Sequence, residues 1–282
     1  MLYNESRCED GKGKRGVKDV MRLDKLLALL GEGTRAQVRD VIRAGRVTVD
    51  GAVIRDAGAQ VDAGRSGVCV DGRALSYKAV RHVMMNKPQG VLTAARDPRQ
   101  RTVMDLLPPM YAAMGCMPAG RLDKDTEGLL VITSDGQLAH RIISPRHDVG
   151  KVYFARVDGP LTEADAEAFA AGLHISDGDG EFDARPAVLC LNSDDGSEAS
   201  VLVREGKYHQ VKRMFAARGR RVLYLKREAI GALALDESLA PGQWREMTDG
   251  EVELLEQEPA FVKECAVCET GAIRAKEEGT GG

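Results

Sequence analysis

The sequence predicts an α+β protein with a small unit near the amino terminus and a larger, mixed-sheet unit behind it. Three observations carry that expectation. Within residues 21–54 the apolar positions pass from helical spacing to alternation, which marks two helices followed by a hairpin. From about residue 82 to 256, short strand-like apolar runs recur without a helix between each pair, which argues against a doubly wound parallel sheet. The length of 282 residues is enough for one large domain and a small companion. The expected divisions are a polar, disordered extension over 1–20, a small domain over 21–80, a large domain over 82–257 and an acidic flexible tail over 258–282.

The elements follow in chain order. In the first twenty residues Gly11, Gly13 and Gly16 stand among Lys12, Lys14, Arg15 and Lys18, a composition that favours disorder. No apolar stretch of a secretory signal follows these charges. Leu23, Leu26, Leu27 and Leu30 then fall on one helical face, and Gly31 and Gly33 end the helix. Thr34 is a fitting N-cap for a second helix from Arg35 to Ala44, with Val38, Val41 and Ile42 facing inward. Beyond Gly45, Val47 and Val49 alternate with polar residues up to Asp50-Gly51, a hairpin turn signal, and Val53 and Ile54 begin the return strand.

The polar positions of this unit are mostly basic: Arg22, Lys25, Arg35, Arg39, Arg43 and Arg46. Arg35, Arg39 and Arg43 are four apart and so form one row, where like charges weaken an isolated helix. A phosphate backbone would relieve that repulsion; the plain alternative is a solvated arginine face. The stretch MRLDKLLALLGEGTRAQVRDVIRAGRVTVDG resembles an S4 domain, the small RNA-binding module of ribosomal protein S4 and of several RNA-modifying enzymes. The resemblance implies RNA binding through these six basic residues and leaves the chemistry open.

The net charge of −3 by itself argues against a nucleic-acid partner, but the charge is unevenly placed. Acid gathers toward the carboxyl terminus, from Glu251 to Glu278. The segment Arg204 to Arg227 is rich in Lys and Arg, has Glu205 as its one acid, and contains Tyr208, His209 and Phe215, which fits a phosphate-binding face better than a merely solvated one. No apolar run is long enough to span a membrane, so the expected location is the cytoplasm. The six scattered cysteines suit free thiols in a reducing compartment. Cys265 and Cys268 form the one close pair and supply at most half of a zinc site.

In the large unit, strand-like runs cover Val83 to Met85, Gly128 to Thr133, Lys151 to Val157, Ala187 to Leu191 and Ala199 to Val203; helical runs cover Thr162 to Ala171 and His209 to Arg218. Phosphate-loop, dinucleotide, zinc-protease and serine-hydrolase motifs are all missing, so neither cofactor nor metal is expected. Carboxylates, arginine and glycines instead gather between Ala119 and Leu130. There Asp123 lies just ahead of an apolar strand, and Gly120 and Gly128 bracket it with backbone freedom. A carboxylate in a loop on a rigid scaffold suits catalysis, although Asp also caps turns.

GRLDKDTEGLLVITSDG resembles the signature of the pseudouridine synthases. Four more segments resemble that family's motifs in the same order: Asn86-Lys87-Pro88-Gln89-Gly90, Lys151-Val152-Tyr153, Glu205 to Phe215, and Leu225 to Gly231. The resemblance implies an S4 domain followed by a catalytic domain on a mixed, largely antiparallel sheet with flanking helices. It also implies conversion of uridine to pseudouridine in ribosomal RNA without a cofactor. By the same likeness Asp123 is the catalytic aspartate, Lys212 the basic residue paired with it, Tyr153 the ring that stacks on uracil, and Arg121 a residue that contacts RNA or orients the loop. His209 is expected to touch phosphate or the scaffold, and Lys87 is given no catalytic role. Ser144-Pro145-Arg146-His147 and Tyr208 to Phe215 resemble the small-subunit branch, which implies uridine 516 of 16S rRNA. The partner would be 16S rRNA or a small-subunit assembly intermediate, and the protein a monomer with no membrane attachment. Two other readings are a synthase acting on 23S rRNA or tRNA, and a non-catalytic S4-type RNA-binding or ribosome-assembly protein.

Overall fold

The computed structural model describes residues 19–260. The sequence expectations for residues 1–18, for most of the acidic tail and for the Cys265–Cys268 pair lie outside the described residues. The chain divides into two compact units, one ending at Ala79 and the other beginning at Val80.

In the first unit, leucine spacing builds α1 (Leu23–Leu29) directly after β1 (Val20–Arg22). Thr34 starts α2 (Arg35–Arg43) with a full capping box: its hydroxyl accepts from Gln37 N, and the Gln37 side chain accepts from Thr34 N. Asp50 and Gly51 both take left-handed φ angles, 51° and 81°, which makes the tight turn between β2 (Val47–Val49) and β3 (Ala52–Val53). Three further strands, β4 (Gln60–Asp62), β5 (Val68–Val70) and β6 (Arg73–Leu75), complete the unit. β1 pairs with β4, and β3-β2-β5-β6 form an antiparallel sheet. Leu23, Leu26, Leu27, Val38, Ile42, Val47 and Val68 fill the core.

The second unit is built on β7 (His82–Lys87), α3 (Pro109–Ala113), β8 (Met117–Pro118), β9 (Glu127–Thr133), α4 (Gly136–Ile143), β10 (Lys151–Val157), α5 (Glu163–Ala171), β11 (Leu173–Asp177), β12 (Gly180–Ala184), β13 (Val188–Leu191), β14 (Glu198–Val203), α6 (Gln210–Ala217), β15 (Val222–Ile230), β16 (Leu233–Ala234), β17 (Trp244–Glu246) and α7 (Asp249–Leu254). The main sheet runs β13-β14-β10-β15-β9-β7-β17, with β16 beside β15 and β8 beside β9. Every pairing is antiparallel except β15 with β9, so the sheet is mixed and largely antiparallel, as the sequence led one to expect. Alternation sends Leu129 and Val131 of β9 to one face and Leu130 and Ile132 to the other, and both faces are buried under separate apolar clusters. A third cluster packs β10 and β14 against α5 and α6 through Ala155, Val201, Phe169 and Phe215.

Ahead of the expected tail, α7 is capped by Thr248, and Glu251 pairs with Arg245 at 2.6 Å. Glu256 pairs with Arg141, and Glu258 with Arg204, so these acids neutralise arginines of the domain. The basic run is not one free face. Arg213 is held by Asp177, Arg218 by Asp165 and Arg204 by Glu258, while Arg227 is buried. The acids that hold them come from distant parts of the chain, which the linear charge pattern does not reveal. Among the described cysteines, Cys69 and Cys116 are free thiols.

Candidate active site

Asp123 lies in the loop between β8 and β9, and this loop is tied down along its length. The Thr126 amide donates to the Asp123 carbonyl at 3.1 Å, closing a turn. Lys87, fully buried at the end of β7, donates its Nζ to the carbonyls of Pro88, Lys124 and Thr126 at 3.0, 3.3 and 2.9 Å. The Gly90 amide reaches the Lys124 carbonyl at 2.7 Å, and the Thr93 hydroxyl donates to the Leu122 carbonyl at 2.8 Å. The segment Asn86 to Gly90 therefore acts as the anchor of the Asp123 loop. Burial of the Lys87 ammonium pushes it down to about 8.

The cation expected opposite the aspartate is present. Lys212 Nζ, on α6, stands 3.1 Å from Asp123 Oδ2. It also stands 2.5 Å from Asp125 Oδ1, a second carboxylate that the sequence reading passed over. Burial works against the charge of Lys212, but the hydrogen bonds and charges of Asp125 and Asp123 outweigh it and raise its pKa. Asp125 is lowered in turn, its own burial being outweighed by Lys212. His209 Nε2 is 3.6 Å from Asp123 Oδ1. This histidine precedes α6 in a left-handed conformation, φ 49°, and its ring stacks on Tyr208 with centroids 3.8 Å apart. Buried Glu205 organises the turn: it accepts from Gln210 Nε2 at 2.7 Å and from the Arg185 amide at 2.9 Å. The motif Glu-Gly-Lys-x-x-Gln is thus legible as a hydrogen-bonded frame for the start of α6.

Tyr153 is placed by an irregularity in the sheet. Opposite β10, strand β15 carries an extra residue: Val152 faces Ala229 and Tyr153 faces Arg227, with Glu228 bulged between them. The Arg227 guanidinium lies 5.9 Å from the Tyr153 ring centroid, and its Nη1 donates to the Tyr153 hydroxyl at 3.4 Å. Its Nε donates to the Leu129 carbonyl at 2.8 Å, and Nη2 is buried without a hydrogen-bond partner. This fit depends on Gly128. Its φ is +104°, and a Cβ there would lie 2.1 Å from the Arg227 carbonyl oxygen. Lys151, also on β10, donates to the Val149 carbonyl; burial and the nearby Arg227 charge push it down to about 8.

Together these elements enclose a cavity of about 890 Å³ lined by Asp123, Arg121, Tyr153, Lys212, His209 and Tyr208 among others. Four of the residues singled out by sequence meet in it: Asp123, Arg121, Tyr153 and Lys212. Arg121 is exposed at its edge. The six basic residues of the first unit belong to the other compact unit. There Arg22 and Arg39 both hold buried Asp24 at 3.0 Å, Arg46 pairs with Asp71, and Arg43 pairs with Asp40 at 3.1 Å. Lys25 and Arg35 have no ion-pair partner among the described residues. The row of arginines is therefore less uniformly charged than the spacing suggested, because Asp24 enters it from α1.

No helix among the described residues is long and apolar enough to cross a membrane. Comparison with known proteins matches residues 81–217 to the RNA pseudouridylate synthase family and residues 21–65 to the S4 domain. An uncharacterised RNA pseudouridine synthase of Bacillus subtilis (strain 168), YtzG, is 44% identical over 242 residues, covering 85% of this chain and all of the relative. Ribosomal small subunit pseudouridine synthase A of Escherichia coli (strain K12) is 42% identical over 234 residues, covering 82% of this chain and 98% of the relative. A crystal structure of a pseudouridylate synthase superposes with a TM-score of 0.57 at 34% identity, covering 83% of this chain and 99% of that one. Family match, full-length relatives and fold agree: this chain is a pseudouridine synthase with an S4 domain ahead of its catalytic domain, and it belongs to the RNA pseudouridylate synthase family.

Proposed function

We propose that this protein converts one uridine of small-subunit ribosomal RNA, uridine 516 of 16S rRNA, to pseudouridine, with Asp123 as its catalytic carboxylate. The observation that carries the reading is the pairing of Asp123 with Lys212 at 3.1 Å inside a cavity that also holds Tyr153. The likeness to ribosomal small subunit pseudouridine synthase A of Escherichia coli supports the small subunit as the source of the RNA.

The reaction is an isomerisation. The bond from uracil N1 to C1′ of the ribose breaks, the base turns, C5 bonds to C1′, and the C5 proton leaves while N1 gains one. Nothing is added or removed overall, so the work falls on positioning and charge. An aspartate can attack C1′ or take a proton from the ribose. Either use needs a rigid carboxylate, and the Lys87 and Thr93 contacts supply that rigidity. Lys212 sets a cation against the carboxylate and aims it. Tyr153 offers a flat face to a base drawn out of its helix, and Arg227 fixes the tilt of that ring. Arg121 and the S4 residues Arg22, Lys25, Arg35, Arg39, Arg43 and Arg46 meet RNA phosphates in this reading, with Arg22 and Arg39 also shaping the S4 unit through Asp24. The enzyme works as a cytoplasmic monomer without cofactor.

The test is Asp123→Asn. The variant is expected to bind small-subunit rRNA with nearly unchanged affinity and to form no pseudouridine in a tritium-release assay. Activity within tenfold of wild type would overturn the assignment. Mapping pseudouridines in a deletion strain, with and without the wild-type gene, decides the target: a loss confined to 23S rRNA would replace the small subunit in this reading.

A further inference from the structure

The loop between β14 and α6 holds an aromatic pair whose contacts within the domain account for only one of its two rings. His209 is fixed from two sides: the left-handed turn before α6 sets its backbone, and Asp123 stands 3.6 Å from its Nε2. A non-glycine residue in that conformation carries strain, which persists only where the surroundings enforce it. Tyr208 stacks on His209 at a centroid distance of 3.8 Å and an interplanar angle of 25°, yet it stays 62% exposed. A ring with one face packed and the rest in water, at the mouth of a cavity, is open to a second stacking partner. The His209 beneath it also lines a second cavity of about 430 Å³, whose wall carries Arg220 and Arg221 beside Asp158, together with Lys212 and Arg213, which are already paired with Asp123, Asp125 and Asp177. The open ring therefore adjoins a wall where Arg220, bonded to backbone carbonyls and to no carboxylate among the described residues, is the cation left to meet a phosphate.

We infer that Tyr208, backed by His209, is a stacking platform for the nucleobase next to the target uridine. This rests on the function proposed above. When a uridine is drawn out of a helix, the neighbouring base loses a stacking partner. An aromatic ring at the mouth, next to a basic wall that receives the backbone, replaces that partner. Any base has a π face, so the platform lowers the cost of extrusion without selecting sequence. The stack also runs from RNA through His209 to Asp123, so a seated neighbour base holds the wall of the catalytic pocket in place.

The experiment compares wild type with Tyr208→Ala, Tyr208→Phe and Tyr208→Leu on a small-subunit rRNA transcript. A second readout uses short RNAs with 2-aminopurine on either side of the uridine that wild type modifies. Because Tyr208 is exposed, all variants should fold, and urea midpoints equal to wild type will check this. The expected result is a rise of about tenfold in KM for Ala and Leu, with Phe within about twofold of wild type. In the second readout, 2-aminopurine fluorescence on one side should be quenched on binding by wild type and Phe but not by Ala or Leu. Wild-type KM and quenching in Tyr208→Ala would overturn the platform and leave the proposed function standing. A KM raised as much in Tyr208→Phe as in Tyr208→Ala, or quenching on neither side, would likewise overturn it. Absence of any pseudouridine made by wild type would remove both.

Discussion

Replacing Gly128 by alanine strikes the point where the two halves of the catalytic sheet meet. Gly128 pairs with Arg227 across the parallel β9–β15 junction, at φ +104°. An added Cβ would lie 2.1 Å from the Arg227 carbonyl oxygen, 2.7 Å from its nitrogen and 2.9 Å from its carbonyl carbon. All three are backbone atoms, so no side chain can swing aside, and the strands must part. The unfavourable φ costs about 1–2 kcal/mol, overpacking about 1–3 kcal/mol, and each disrupted ladder hydrogen bond about 1 kcal/mol. We expect a loss of about 5 kcal/mol, comparable to the whole stability of a marginal domain. Gly120→Ala is the matched control: its φ is +96°, but the nearest atom to a new Cβ is 3.7 Å away, so only the backbone cost of about 1–2 kcal/mol applies. Urea denaturation of both purified variants gives the comparison. If Gly128→Ala lies within about 1 kcal/mol of Gly120→Ala, the close approach of Arg227 is not what requires glycine there.

Other consequences follow from the same structure. In the S4 unit, Asp24→Asn should cost on the order of 2 kcal/mol, since the buried carboxylate accepts from Arg22 and Arg39. The arginine hydrogen bonds hold Asp24 well below the usual carboxylate range, so its contribution is complete above about pH 4 and fades in acid as the unfolded chain binds the proton. The gap between wild type and variant should therefore be smaller at pH 3 than at pH 7, and an equal gap would contradict this. Lys87 and Lys151 are both pushed down to about 8. Between pH 8 and about 10.5 the unfolded chain holds more protons than the folded one, so these groups make stability rise with pH. Lys87→Met should flatten that rise in denaturation series across the window, and a parallel curve would count against it. Replacing Lys25, Arg35 and Arg43 together by glutamine should lower the log–log salt slope of RNA binding by roughly two. An unchanged slope would make the row a solvated face.

Much of this protein is local and so was legible in the sequence. Leucine spacing, the Thr34 cap and the Asp50-Gly51 turn are decided within a few residues, and α1, α2 and the first hairpin form where those signals lie. Strands β9, β10, β13 and β14 are largely apolar runs, so they too could be read directly. β15 could not, because Lys226, Arg227 and Glu228 interrupt its apolar pattern. The sheet tolerates them by bulging Glu228 and burying Arg227 against Tyr153 and Leu129. The residues Asp123, Lys212 and Tyr153 were named from motifs, but their meeting is a property of the fold: 89 residues separate Asp123 from Lys212, and only the packing of α6 beside the β8–β9 loop closes that distance to 3.1 Å. The pairing of Asp125 with Lys212, the approach of His209 to Asp123 and the anchoring of the loop by Lys87 were missed for the same reason. A charge shows in sequence, whereas its partner is chosen by strands and helices that arrive from elsewhere in the chain. Sequence alone determined most of the elements, because their signals are local, and named the candidate residues; tertiary structure decided which charges are spent on one another and which face the cavity, because those partners come from distant parts of the chain.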